Sequence, residues 1–317
     1  VKRFDISVVG ELNADLILYG LPPTLEPEHE HLAEDLAITL GSSSAIFAHN
    51  ISLLGSRVGF TSCIGDDPLG KFCVDRLKES GVDVSGVKAL SGKTTGVTVI
   101  LPLSKQRQIL TYLGTTLDLQ FVHLDLNYLR SASHFHLSSF FLLRGLRPGI
   151  PELFSQLKLS GLTTSLDTND DPEGLWAEDV KSVLKSVDIF LPNEREACKL
   201  TGAKDVQDAL EALSQLVPIV VIKCGPKGVI AKRGKNQFHA PSLLVQPMDT
   251  VGAGDSFNAG FLHKFILRCN LEECLEYGNA IAALSTTRAG GTEALRDRQH
   301  RESFLQPSIG SRKGENP

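Results

Sequence analysis

The stretch Asp249-Thr250-Val251-Gly252-Ala253-Gly254-Asp255-Ser256-Phe257 decides how this chain reads. Three small residues, Gly252, Ala253 and Gly254, stand directly before an acid and a strongly helical run from Asp255 to Leu267. Glycines let the backbone turn its N–H groups toward one point, free of side-chain obstruction. The helix that follows adds the positive end of its dipole, so the loop should attract an anion such as a phosphate. Asp255 then has two readings. It can cap the helix of an ordinary Gly-rich strand-to-helix turn. Alternatively it can act as a general base, taking the proton of a hydroxyl while the loop stabilises an incoming phosphoryl group.

Around that segment, 317 residues suffice for one large α/β core with an appendage, or for two modest domains. A hydrophobic share of 42% with 22% charged residues is that of a soluble globular protein. The net charge of −5, without a Lys- or Arg-rich run, argues against nucleic acid as the main partner. No apolar stretch approaches the roughly 18 residues needed to span a bilayer. The chain enters strand-like sequence at Phe4–Gly10 with no charged-then-apolar leader, so a cytoplasmic location is expected. The cysteines at 63, 73, 198, 224, 269 and 274 form no C-x-x-C pair and read as reduced, buried thiols.

Strand-like and helical runs alternate almost throughout, the signature of a mainly parallel sheet covered by helices. Core strands are expected at Ile6–Val9, Val58–Ser62, His134–Leu137, Thr163–Leu166, Ile189–Leu191, Ile219–Lys223 and Gly228–Lys232. Helices are expected at Ala45–Leu54, Leu69–Ser80, Leu146–Leu159, Ala177–Lys185, Glu194–Leu200, Val206–Gln215, Ala253–Leu267 and Leu271–Thr287. Residues 14–40 and 95–113 break the rhythm with pairs of alternating segments and no helix. They read as a small antiparallel sheet, half-buried on one face, that can close over a ligand as a lid. The core then comprises 1–13, 41–94 and 114–305, and the polar tail 306–317 is expected to be disordered.

Several segments carry polar groups at the ends of expected strands. Asn13 and Asp15 follow the first strand, where open α/β sheets bind ligands; they suit sugar hydroxyls or an Asx turn. Gly41 opens a loop in which Ser42–Ser44 offer hydroxyls and N–H groups at a helix start. Asn193 and Glu196 stand three apart on one face at another helix start, which by itself reads as a cap with an acidic first turn. Lys223-Cys224-Gly225-Pro226-Lys227-Gly228 joins two strands, and Asn279 lies on a helix of small residues. His29-Glu30-His31 and His134-Phe135-His136 alternate, as metal ligands or, more simply, as exposed or packed side chains. Gly65–Phe72 mimics a Walker A loop, but Phe72 replaces the Ser or Thr, and Asp66 and Asp67 would repel phosphate. A turn capped by Asp66 or Asp67 is the better reading.

The nine-residue string resembles the C-terminal signature of the ribokinase (PfkB-type) carbohydrate kinases. The N-terminal stretch, Leu40–Gly55, Gly65–Gly70, the N-x-x-E and the Lys223–Gly228 loop match the same family in order, over roughly residues 4 to 295. The resemblance implies a ribokinase-like α/β fold with a mainly parallel central sheet, flanking helices and a β-sheet lid. It implies ATP-dependent phosphorylation of a small carbohydrate, with Asp255 as base and Gly252, Ala253 and Gly254 as anion hole. Asn13, Asp15, Gly41, Ser42 and Asp255 would meet the sugar. Asn193, Lys223, Gly225, Gly228, Gly254 and Asn279 would meet ATP. Asn193 and Glu196 would place Mg²⁺ through water. Asp249, Val251, Ser285, Ala289 and Gly291 match a region that binds K⁺ in many members. Lid-to-lid homodimers are common in the family, and neither membrane nor nucleic acid is implied as a partner. A nucleoside kinase of the same fold and a non-catalytic sugar sensor are the alternatives. Two departures bear on the sugar: Ser42 stands for a second glycine and Ile46 for a substrate-binding asparagine.

Overall fold

In the computed structural model, which describes residues 2–103, 106–176 and 179–310, two sheets are formed. The larger contains β1 (Phe4–Val9), β4 (Val58–Gly65), β5 (Asp83–Leu90), β8 (Ala132–Leu137), β9 (Thr163–Leu166), β10 (Ile189–Phe190), β11 (Ile219–Lys223), β12 (Val229–Arg233) and β13 (Asn236–Ala240). Their order is β13-β12-β11-β10-β9-β8-β1-β4-β5, parallel except where β12 runs antiparallel to β11 and β13. The chain leaves β1 for β4 and β5 on one side, then returns to β8 on the other. A ligand crevice is expected at such a reversal, beyond the carboxyl ends of the strands.

Successive side chains of a strand point to opposite faces, and the apolar sequence uses both. On β11, Ile219 and Val221 enter one core while Val220 and Ile222 enter the other. The first core is covered by α1 (Ser43–Leu53), α2 (Pro68–Glu79), α8 (Ala253–Ile266) and α9 (Leu271–Ser285), with Phe47, Phe257 and Phe261 buried among them. The second lies under α3 (Leu126–Arg130), α4 (Ile150–Leu159), α5 (Asp179–Leu184), α6 (Glu194–Thr201) and α7 (Val206–Ser214), with Phe135, Phe154 and Phe190 at its centre. Each fully buried Phe contributes roughly 1.5–3 kcal/mol by area. Two C-terminal helices, the single-turn α10 (Glu293–Arg296) and α11 (Arg298–Gly310), follow.

The lid is the second sheet: β2 (Ala14–Tyr19), β3 (Asp35–Leu40), β6 (Val97–Leu103) and β7 (Gln106–Tyr112), in the order β3-β2-β6-β7. Its two hairpin-like pairs are antiparallel as expected, but β2 and β6 come from distant segments and pair in parallel. Ile17 and Ile100 pack inward on Val251, whereas the edge strands leave Leu36, Ile38, Ile109, Leu110 and Tyr112 exposed.

Other expectations need correction. β5 and β13 were not anticipated; both are edge strands whose polar residues blur the two-residue period. The helix expected from Leu146 starts at Ile150, after a 3₁₀ turn at Arg147–Gly149, because Pro148 and Pro151 favour a fresh helix start. Of the helix expected at 177–185, residues 177–178 lie outside the described residues. α11 continues to Gly310, past the expected core boundary at 305, and Phe304 and Leu305 anchor its middle on Ile281, Leu284 and Leu295. Residues 311–317 lie outside the described residues.

Among the described residues neither histidine pair belongs to a group of three or more potential metal ligands. His134 and His136 are buried on one face of β8, each ring 2.7 Å from the Ser165 hydroxyl, and burial holds both neutral. His29 and His31 sit edge to face in an exposed loop. The Walker-like segment is a capped turn: Asp67 accepts from Gly70 N at 2.8 Å and from Thr95 N at 2.7 Å. Asp67→Ala should therefore lower stability by about 1–2 kcal/mol, read from the urea midpoint. An unchanged midpoint would contradict this role.

Candidate active site

The carboxyl ends of β1, β8, β9, β10 and β11 bring together Glu11, Ser139, Asp167, Asn193 and Lys223, and the start of α8 points into the same space. Gly252 is the N-cap of α8, in the left-handed conformation at φ 70°, where a side chain would be strained. A Cβ there would also lie 2.7 Å from Gly291 Cα. Asp255 is therefore no cap; it sits in the first turn, buried, with no capping bond. Ala253 N–H donates weakly to Thr250 O at 3.3 Å. Among the described residues the N–H groups of Gly252, Gly254 and Asp255 have no hydrogen-bond partner. The open donors thus differ by one from the expected set: Asp255 N–H is free where Ala253 N–H is engaged.

Lys223 brings the positive charge. Its ammonium pairs with the buried Asp167, lies 3.4 Å from Asn258 Oδ1, and would stand 3.5 Å from a Cβ on Gly254. Asn258 Nδ2 donates to Asp167 at 2.6 Å, so both partners are held. Burial alone would lower the Lys223 pKa, but Asp167 and Glu196 turn the balance upward and keep it charged. Removing one partner of such a buried pair typically costs about 3–5 kcal/mol.

Acids surround that single ammonium. Burial first, then Asp167, pushes Asp255 up to about 7, with Glu11 adding to it and Lys223 and Ser43 opposing it. Burial and Asp167 likewise raise Glu196 to about 7. Asp15 rises to about 7 through burial and the charges of Asp255, Asp249 and Glu11. Gly41 is what admits Asp15: a Cβ there would fall 2.0 Å from Asp15 Oδ1. Asn13 lies beside it, buried, with its Oδ1 3.4 Å from the Thr116 hydroxyl.

A polar chain reaches the base from the other side. Ser139 N–H donates to Asn169 Oδ1 at 2.9 Å, Asn169 Nδ2 donates to Ser43 Oγ at 2.9 Å, and Ser43 lies close enough to Asp255 to oppose the rise of its pKa. Ser42, Ser139 and Asn169 all hold positive φ values of 61°, 55° and 54°. Such backbone strain persists where surrounding structure enforces it, and it concentrates at functional sites. Ser44 donates to Glu11 at 3.0 Å. Ser42 Oγ spends itself on backbone, accepting from Asn13 N at 3.2 Å and donating to Glu11 O or Gly41 O, rather than facing a ligand.

Other expected residues fall nearby in mixed roles. Asn193 and Glu196 form a full capping box at α6, Glu196 N donating to Asn193 Oδ1 and Asn193 N to Glu196 Oε2, each at 2.9 Å. The motif is thus a cap and also a wall of the acid cluster. Gly225 and Gly228 make the β11–β12 turn with φ 56° and 91°, and around Gly225 the space is open. Asn279 Nδ2 is occupied by Ala240 O and Pro241 O at 3.1 and 2.8 Å, tying α9 to the end of β13. Asp249 accepts from Val251 N and Gly290 N, both at 2.9 Å, and Gly291 O accepts from Asn50 at 2.9 Å. The Ser285 hydroxyl turns back to Ala282 O at 2.8 Å, while Ala289 lies in the turn leading to Gly290. Asp167, Asn169, Glu11 and Asn258, which the structure brings to this crevice, were not singled out in the sequence. The clue available was Asp167-Thr168-Asn169 directly after an expected strand.

The model of the pfkB family carbohydrate kinases matches residues 3–298. Ribokinase of Haemophilus influenzae is 30% identical over 315 residues, 96% of this chain and 99% of that protein. Cytidine kinase of Thermococcus kodakarensis is 30% identical over 284 residues, 86% of this chain and 93% of that protein. An Escherichia coli protein assigned as ribokinase II, solved with ATP and Mg²⁺, superposes with a TM-score of 0.84 at 25% identity, covering 96% of this chain and 99% of that one.

The raised acids make stability depend on pH. Asp15 binds its proton more tightly folded, at about 7, than at its ordinary 3.8. Its stabilising contribution is full below the ordinary value and is lost as pH rises through the folded one. Without ligand, Asp15→Asn should gain on the wild type in urea unfolding as pH is raised across that window. A pH-independent difference would contradict the acid cluster.

Proposed function

The chain belongs to the pfkB family of carbohydrate kinases, and we propose that it transfers the terminal phosphoryl group of ATP to a hydroxyl of a small carbohydrate, with Asp255 as general base. The observation that carries this reading is the set of unpartnered N–H groups on Gly252, Gly254 and Asp255, beside both the Asp255 carboxylate and the Lys223 ammonium. Donors fixed toward an empty point cost no reorganisation when charge arrives there. They and Lys223 take up the charge of the phosphoryl in flight, the anion-hole role of the loop Gly252–Gly254. Asp255 accepts the proton of the acceptor hydroxyl as the new P–O bond forms. Asn13, Asp15 and Gly41 orient that acceptor from the lid side.

Asn193, Lys223, Gly225, Gly228, Gly254 and Asn279 border the nucleotide in this reading, with the open turn at Gly225 leaving room for it. Mg²⁺ fits the donor set. Glu196 and Asp167 form an acid surplus that a cation relieves, and the Thr168 hydroxyl next to Asp167 is buried without a partner. Both Glu196 oxygens already accept from Asn193, which favours contact through water. Mg²⁺ bound there supplies neutralising charge to the phosphates. K⁺ is assigned to the turn of Asp249, Val251, Ser285, Ala289 and Gly291. The buried, unpartnered Thr39 hydroxyl beside Gly290 supports a ligand in that region. The exposed apolar side chains of β3 and β7 suit a second copy of the lid, giving a homodimer. Among the described residues no helix is long and apolar enough to cross a membrane.

Asp255→Asn should lower kcat by about 10²–10⁴-fold with ATP affinity nearly unchanged, measured by coupled ADP formation. Because the base must be ionised and its pKa lies at about 7, wild-type activity should rise with pH through that value. Near-full turnover in the Asn variant would remove Asp255 from the base role.

A further inference from the structure

We infer that Asn169 is a positioning residue for the transfer: its side-chain amide fixes the Ser43 hydroxyl as a hydrogen-bond donor to Asp255. One oxygen of the base is then held, and the other is left for the acceptor hydroxyl. This rests on the kinase reading and adds to it a residue that acts through another.

Asn169 stands two residues past Asp167, in the left-handed region at φ 54°, which Asn adopts more readily than most residues. From there it reaches three parts of the crevice. Its N–H donates to Asp167 Oδ1 at 3.2 Å, its Oδ1 accepts from Ser139 N at 2.9 Å, and its Nδ2 donates to Ser43 Oγ at 2.9 Å. Asp167 is the partner of Lys223, and Ser43 opens α1 near the base.

Hydrogen-bond polarity gives this chain its sense. A backbone N–H only donates, so the side-chain atom facing Ser139 must be the amide oxygen. The amide nitrogen then faces Ser43, and it too only donates. Ser43 Oγ is thereby an acceptor on that side, which leaves its own proton to give. Among the described residues no other acceptor is bonded to that hydroxyl. Ser43 opposes the rise of the Asp255 pKa, and a serine hydroxyl does so by donating to the carboxylate. The order therefore runs one way, from Ser139 N–H through Asn169 and Ser43 to the base. A flipped amide would set donor against donor at Ser139.

The charges around the base are separate from this chain. Asp167, Glu11 and Lys223 act on Asp255, and Asp255 acts on Asp15. Asn169→Gly alters none of them. Glycine accepts the same φ, and its N–H keeps the hold on Asp167.

The test is a double-mutant cycle on Asn169→Gly and Ser43→Ala. It is read by the carboxyl carbon NMR titration of Asp255 and by the pH profile of kcat, with ribose, fructose and cytidine as acceptors. Each single variant should raise the Asp255 midpoint by about one pH unit, as for the loss of one hydrogen bond to a charged group. The double variant should go no further than Ser43→Ala alone. In each, kcat should fall about 10-fold near pH 6 and recover by about pH 9, with the KM for ATP unchanged. Asn169→Asp, of the same shape, gives a second reading should glycine disturb folding. Its added charge acts with or without Ser43, so its upward shift should be larger by about one pH unit when Ser43 is present. An unmoved midpoint in Asn169→Gly, additive shifts in the double variant, or equal shifts for Asn169→Asp in both backgrounds overturn this inference and leave the kinase reading intact. A loss of kcat that no pH restores also overturns it. A midpoint that moves while the kcat profile does not removes Asp255 from the base role, and the positioning role with it. Wild-type protein that forms no ADP with any acceptor removes the kinase reading itself.

Discussion

One ammonium stands among buried carboxylates, and the site depends on that imbalance. Lys223 is bound by Asp167 and faces Glu196 and Asp255, while Glu11 and Asp15 lie farther along the crevice without a cation of their own. The protein thus stores electrostatic repulsion in its crevice. Burial first, and then that repulsion, hold Asp255 near the pH at which a base can both take and release a proton. It also leaves the crevice with more acceptors than donors, except at the start of α8, where three N–H groups are open. Acceptors gather where hydroxyls would lie, and donors where a phosphoryl group would pass. The two halves of a transfer reaction are separated by the peptide chemistry of a single helix turn.

The architecture makes this arrangement affordable. Parallel strands end on one side of the sheet, so residues far apart in sequence converge without any loop having to be long. The reversal between β1 and β8 opens the crevice at that point. The lid adds Ile17 and Ile100 against Val251, joining its inner face to the loop that carries Asp255. The lid sheet and the loop before α8 therefore share a hydrophobic contact. Gly41 and Gly252 serve steric ends in the same place, one admitting the Asp15 carboxylate and the other the close approach of Gly291.

Much of this was legible in the sequence, for a definable reason. Asp255, its glycines and Asn193–Glu196 are local motifs, in which a few adjacent residues fix both the turn and the polar groups it presents. The covered strands also declared themselves: β11 is apolar on both faces, and β1 and β4 place Phe, Ile and Val along one. Asp167, Glu11 and Asn169 were not legible as site residues, because each acquires meaning only where separate strand ends meet. Asp167 looks like any acid after a strand until Lys223 and Asn258 are brought to it. The edge strands β5 and β13 escaped because water on one side leaves no strict alternation. Ser42 and Asn279 sit where expected, but their polar atoms are spent on backbone, which residue type alone does not reveal.

The most direct test of the charge imbalance is a carboxyl carbon NMR titration of Asp255, assigned by its loss in Asp255→Asn. The account predicts a midpoint near 7, displaced upward when Lys223→Met removes the opposing ammonium. A midpoint in the ordinary aspartate range, near 3.8, unmoved by that substitution, would contradict it.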